Sequence, residues 1–253
     1  MLFLSRYLQD PNLILKMWER HLGFSISFGL IALLNLFTEI LNIQEIRIMI
    51  KPLICILLLG YLISKTRLSG TFSKLIFFGL LFSLAGDISL VFAKNLSTFF
   101  LVGLGAFVLA HLFYSIAFFR DYRYDPEASK KFGNVMIAVI TVSFVSFFIL
   151  IQPYLMEMTI PVIIYMIVIS STAILTGFRF ERVNLTSFRM ILSGVISFIV
   201  SNIIFATDRF VTPFEYSGVL IIATYMLAQY LITIGTLERK VEVKKDNTKD
   251  RRY

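Results

Sequence analysis

The sequence predicts an all-α integral membrane protein with eight transmembrane helices. Three observations carry that expectation. First, 57% of the 253 residues are hydrophobic and only 16% charged, with a mean hydropathy of +0.81, whereas soluble domains carry about 25% charged residues. Second, the apolar residues gather into runs close to the ~20 that a helix needs to cross a bilayer. Third, the basic residues are unevenly shared between alternate connections. Twenty of the 24 Lys and Arg fall on one side, and only Arg47, Lys51, Lys94 and Arg209 on the other. The positive-inside rule therefore makes both termini cytoplasmic. The net charge of +8 reflects that topology and excludes the nucleic-acid partner that a basic soluble protein would suggest. No connection is long enough to enclose a core of its own.

In chain order, residues 1–23 form a cytoplasmic or interfacial segment. Within it, 11–20 reads as a short amphipathic helix on the membrane surface with Trp18 at headgroup level. The apolar start, Met1-Leu-Phe-Leu, is too short for the h-region of a cleavable signal. The transmembrane domain, 24–236, holds spans at 24–41, 48–64, 75–93, 98–119, 135–151, 160–178, 188–206 and 217–235. Pro161 at the start of the sixth and Gly235 at the end of the eighth suit helix termini. Residues 237–253 form a basic tail with few apolar side chains, expected to be disordered on an anionic surface. Asn95-Leu-Ser is a sequon on the outer side. The single cysteine, Cys55, excludes an internal disulfide and reads as packing within an apolar run.

The third span carries the feature around which a function can be built. Asp87 lies inside it, and an ionisable group in hydrocarbon costs about 2.5–3.5 kcal/mol on insertion scales, so such groups face a bundle interior and act there. The seventh span echoes it. Gly79 stands eight positions before Asp87 and Gly194 eight before Asn202, with a small residue, Gly86 or Ser201, immediately ahead of each. The echo reads either as a parallel four-plus-four internal repeat or as chance similarity of apolar sequence. In either case the two helices are expected to face each other across a buried polar site. At about 1.5 Å per residue, Asp87 and Asn202 lie about 18 and 21 Å above the cytoplasmic ends of their helices. Lys51 and Tyr225 fall at a similar level, Glu39 near the outer end of the first span, and His111 and Gln229 deeper.

Each of these residues has a structural alternative. Asp87 and Lys51 could be an ion pair between helices, or Lys51 could snorkel to the headgroups. His111 reads as a satisfied interhelical hydrogen bond or as a base; Tyr114, Tyr225 and Gln229 as helix–helix contacts or as substrate ligands. Glu39 and Asp208 could be solvated at the interface. Gly103-Leu-Gly105 reads as close helix packing. With two histidines in the chain, a metal centre of the usual ligands is excluded. Gly-x-Ser-x-Gly, His-Glu-x-x-His and Walker signatures are absent from the sequence. If the chain is an enzyme, carboxyl acid–base chemistry, which needs no cofactor, is what remains.

Several blocks resemble the YhhN-type lysoplasmalogenase family over roughly Lys51 to Gly235. They are Lys51-Pro-Leu, Gly86-Asp87 with Leu90, and Gly103-Leu-Gly-Ala-Phe-x3-His111-x2-Tyr114-x3-Phe118, then Gly194-x3-Phe198-x2-Ser201 and Tyr225-x2-Ala-Gln229-x2-Ile232-x2-Gly235. The resemblance implies a multi-pass membrane protein, in the inner membrane if the host is bacterial, that hydrolyses the vinyl ether bond of lysoplasmalogens within the bilayer to a fatty aldehyde and a glycerophospho-alcohol. It implies a catalytic pair of aspartates. The first falls on Asp87, and the second on position 202, where this chain has Asn202. An amide carries no exchangeable acid proton in the relevant pH range, so the resemblance leaves two expectations: a weakened ether hydrolase, or a non-catalytic lipid-binding or transport protein on the same scaffold. Lys51, His111, Tyr114, Tyr225 and Gln229 are the expected substrate-binding residues.

Overall fold

A computed structural model describes residues 11–93 and 97–242. Its architecture is helical throughout, with one isolated bridge between Val183 and Val241. The eight α-helices among the described residues are α1 (Pro11–Ile40), α2 (Gln44–Thr66), α3 (Thr71–Phe92), α4 (Ser97–Tyr124), α5 (Lys131–Leu155), α6 (Thr159–Gly177), α7 (Leu185–Ala206) and α8 (Ser217–Leu237). A 3-10 turn, Met156–Met158, joins α5 to α6, and a π-helical turn, Thr207–Val211, closes α7. Seven stretches of the described residues are long and apolar enough to cross a membrane; one of them, Lys131–Gly177, contains both α5 and α6.

The expected surface helix at 11–20 is instead the first part of α1, which runs unbroken into the first apolar span. Only Gly23 separates the two parts, and a lone glycine costs a helix about 1 kcal/mol without ending it, while no proline lies there to break it. The environment of Trp18, the sequon at Asn95 and the tail beyond Glu242 lie outside what is described. Between α2 and α3 the chain turns through left-handed residues, Arg67 and Leu68, and through Gly70 at φ +85°, a conformation that costs glycine nothing.

Lipid offers no hydrophobic drive for helices to associate, so close approach of backbones must supply the packing. Glycines make it. On the α3–α4 seam Gly79 lies under the Tyr114 ring, Gly86 under Phe107, and Gly103 against Leu90. Gly105 has no neighbour, so only the first glycine of Gly103-Leu-Gly105 serves the packing expected of both. On the α7–α8 seam Gly194 faces the Ala228 carbonyl and Ile232, and Gly235 faces Ile191. Outward-facing Leu30, Leu33, Val142, Ile149 and Leu150 are exposed, as residues facing acyl chains are.

The end of the bundle carrying the α4–α5 and α6–α7 connections is closed by charge. Asp121 is fully buried between Arg179, whose Nε donates to it at 2.8 Å, and Arg239, which also donates to it. Burial alone would pull the Arg179 guanidinium below its ordinary pKa, and Asp121 beside it pushes back. Arg182 is likewise buried, donating to the carbonyls of Asp125, Ala128, Ser129, Phe178 and Phe180. Nearby, His21 and Arg20 of α1 hold Glu238 at the end of α8, and His21 also bonds Tyr61 of α2. At the opposite end Glu39 is not merely solvated, as one reading had it; Arg47 pairs with it at 2.9 Å.

Candidate active site

Halfway along the bundle and towards the Glu39 end, α2–α8 leave a cavity of about 160 Å³. Its walls are apolar, from Leu104, Phe144, Val162, Ile169, Ile199 and others, and few polar groups reach it. Among them are Asp87 from α3, Lys51 from α2, Asn202 from α7 and Tyr225 from α8. Four of the expected site residues, from four helices, therefore converge on one space.

Asp87 is only 1% exposed. Tyr225 donates its hydroxyl to Asp87 Oδ2 at 2.6 Å, and the Cys55 thiol lies 3.4 Å from the same oxygen and 3.3 Å from the Tyr225 hydroxyl. Oδ1 makes no hydrogen bond among the described residues and is not sealed from the cavity. Lys51 lines the same cavity without forming an ion pair with Asp87. The two residues close no contact ion pair, although the Lys51 charge lies near enough to act on the carboxyl.

Asn202 does not reach Asp87. Its Nδ2 donates to the Phe198 carbonyl at 2.7 Å, and its Oδ1 accepts from the Tyr165 hydroxyl at 2.7 Å. The third and seventh spans, α3 and α7, both line the cavity as expected, but the partners that touch Asp87 come from α2 and α8.

The remaining expected residues sit behind the wall. Tyr114, His111 and Gln229 are fully buried and do not line the cavity. Tyr114 donates to Gln229 Oε1 at 2.9 Å, and Gln229 Nε2 donates to the Tyr225 oxygen at 3.3 Å. His111 is the plainest departure. Neither ring nitrogen has a hydrogen-bond partner among the described residues, and the ring packs edge-on against Phe198 at 4.4 Å. The interhelical hydrogen bond expected of it is absent because its neighbours across the interface present rings, Tyr165 and Phe198, by their edges and faces.

Two site residues escaped the sequence reading. Cys55 was taken as packing, yet it touches Asp87; its spacing of four from Lys51 puts both on one face of α2, which was the available signal. Tyr165, which holds Asn202, stands alone in an apolar run of α6 and gave no signal.

Residues 46–236, about three quarters of the chain, match the sequence profile of the YhhN family. The chain belongs to the YhhN family. It is 29% identical over 172 residues to the human protein named lysoplasmalogenase TMEM86A, an alignment covering 66% of this chain and 67% of that protein. No solved structure matches it. This YhhN-family chain is an integral multi-pass membrane protein, and Lys51, Asp87, Asn202 and Tyr225 of the cavity all lie inside the matched region.

Proposed function

We propose that the protein is a membrane lipid ether hydrolase of lysoplasmalogenase type, with Asp87 as the proton donor. One observation carries the reading. A carboxyl group lies deep in an apolar cavity with one oxygen held by Tyr225, the other unbonded, and no cation paired to it. The name of the human relative supports the substrate class.

Vinyl ethers hydrolyse by proton transfer to the carbon remote from oxygen. In this site Asp87 gives its proton to that carbon as the double bond opens, leaving a carboxylate and an oxocarbenium ion. Water adds to the carbon bearing the ether oxygen and returns a proton to Asp87. The hemiacetal then breaks its bond to the glycerol oxygen, releasing aldehyde and glycerophospho-alcohol, with one water consumed. The apolar walls suit the alkenyl chain, and Lys51 suits the lipid phosphate. Asn202 orients water or substrate but brings no negative charge to the cation, so turnover is slow, as glycosidase chemistry would be with one of its two carboxylates neutralised.

The topology proposed with this reading has eight spans and cytoplasmic termini. Lys131–Gly177, at 47 residues, would be about 70 Å long as one helix, against a hydrocarbon core of about 30 Å. Met156, at φ +48°, breaks it, and Ile151 and Leu155 fold back on Val162 and Met166. The four-plus-four repeat is favoured by the matching seams, in which Gly79 packs on α4 and Gly194 on α8.

The test is aldehyde release from alkenyl lysophospholipid by the purified protein, with Asp87→Asn alongside. Release that is lost in the variant supports the reading; equal release from both sinks it. The non-catalytic carrier reading has one observation in its favour, an Asn202 whose amide is tied at both ends. It gains if the native protein binds the lipid without releasing aldehyde.

A further inference from the structure

The Tyr225 hydroxyl has one hydrogen and three polar neighbours, the Cys55 thiol, whose sulfur is a weak acceptor, and the Asp87 carboxyl and Gln229 amide, which compete for it. The amide decides between them. It presents Nε2 to Tyr225, and an amide nitrogen only donates. The Tyr225 oxygen is therefore an acceptor towards Gln229, and its hydrogen goes to Asp87 Oδ2. Its Oε1 accepts from the Tyr114 hydroxyl at 2.9 Å, so the donors run one way from Tyr114 through Gln229 and Tyr225 to Asp87. With the amide turned over, Nε2 would donate to the Tyr114 oxygen and Oε1 would accept from Tyr225, so the whole run would reverse.

Phe107 and Phe198 pack edge-on against the Tyr225 ring, with centroids 6.1 and 5.5 Å away, and hold it in place. Cys55 approaches Oδ2 as well. An oxygen already accepting an O–H is the poorer seat for the acid's own hydrogen, so that hydrogen belongs on Oδ1, the atom left open to the cavity.

We propose that Tyr114, Gln229 and Tyr225 form a directed hydrogen-bond chain that selects Oδ1 of Asp87 as the atom carrying the transferable proton. Tyr114 and Gln229 are positioning residues, since neither lines the cavity and both act through Tyr225. In the reversed chain Tyr225 would give its hydrogen to Gln229 and draw the carboxyl proton onto Oδ2, facing the wall instead of the lipid. The inference rests on the acid-catalysis reading above, and its test separates the two.

The variants are Tyr114→Phe, Gln229→Met and Tyr225→Phe in the full-length protein, measured for kcat and KM on alkenyl lysophospholipid. In parallel, infrared spectra follow the C=O stretch of the protonated Asp87 carboxyl, recognised by its loss in Asp87→Asn. Because the chain sets the proton and not the binding, kcat should fall about tenfold in Gln229→Met and Tyr225→Phe and about fivefold in Tyr114→Phe, with KM within about twofold. The carboxyl band should shift in all three. Tyr114→Phe keeps the ring that fills the space over Gly79, so it supplies the answer if Gln229→Met fails to fold. Unchanged kcat and an unmoved band in Tyr114→Phe and Gln229→Met, with Asp87→Asn inactive, would overturn the chain and leave the acid in place. Full aldehyde release by Asp87→Asn would instead remove the acid, and the band alone would then decide for or against the chain.

Discussion

Replacing Asn202 by aspartate would restore the second carboxyl of the proposed mechanism, and the structure sets the size of the gain. Asn202 now donates to the Phe198 carbonyl and accepts from Tyr165, both at 2.7 Å. In Asn202→Asp the Tyr165 bond survives, but a second acceptor faces the carbonyl. Leaving such a buried pair unmatched costs about 1–3 kcal/mol, part of which rotation towards the cavity relieves. Against this, a charge positioned for a developing cation in a water-poor site is worth about 2.7–4 kcal/mol by analogy with oxyanion-hole donors. The difference, about 1–2 kcal/mol, corresponds to roughly a tenfold rise in kcat. The assay is single-substrate turnover to aldehyde, with thermal unfolding in detergent to confirm the fold. A folded variant no faster than the native protein would refute the reasoning, because position 202 would then not be where the cation develops.

Three further outcomes follow from other parts of the fold. Asp121→Asn strands the buried Arg179 beside Arg239 and should cost about 3–5 kcal/mol, read as a drop in detergent Tm of roughly 10 °C. Gly194→Ala drives a methyl group to 2.9 Å from the Ala228 carbonyl and should lose about 1–3 kcal/mol of stability, whereas Gly105→Ala, which meets nothing, should unfold at the native temperature. Lys51→Met, which breaks no ion pair with Asp87, should raise KM for the lysolipid about fivefold while kcat moves less than about twofold; a collapse of kcat alone would place the ammonium at the reacting bond rather than at the phosphate.

Hydropathy located the helices because lipid imposes length and apolarity together, and α7 and α8 begin and end within a few residues of expectation. It missed the first part of α1 because apolarity reports contact with lipid, while a helix continues wherever its backbone allows. Helical rise alone placed Asp87 level with Tyr225, and the two are bonded. Rise says nothing about rotation, however. Which way a helix turns its faces depends on its neighbours, so His111 was given a partner it lacks, and Cys55 was denied one it has. Arg179 and Arg182 entered the sequence reading only as positive charges at a membrane surface. That they are buried depends on Asp121 and on carbonyls more than fifty residues away, and no local pattern encodes that.

The two buried aspartates among the described residues show how one fold separates holding from reacting. Asp121 has both oxygens engaged by guanidinium groups from two other segments and is held in two ion pairs at once. Asp87 has only neutral donors, a phenol and a thiol, both on one oxygen. A neutral donor serves a carboxylate and tolerates a carboxylic acid, since the acid can hold its hydrogen on the other oxygen. A carboxyl that must give and regain a proton within one turnover needs surroundings of that second kind. Lys51 lines the same cavity without closing an ion pair on Asp87, and this restraint keeps the site from becoming another Asp121.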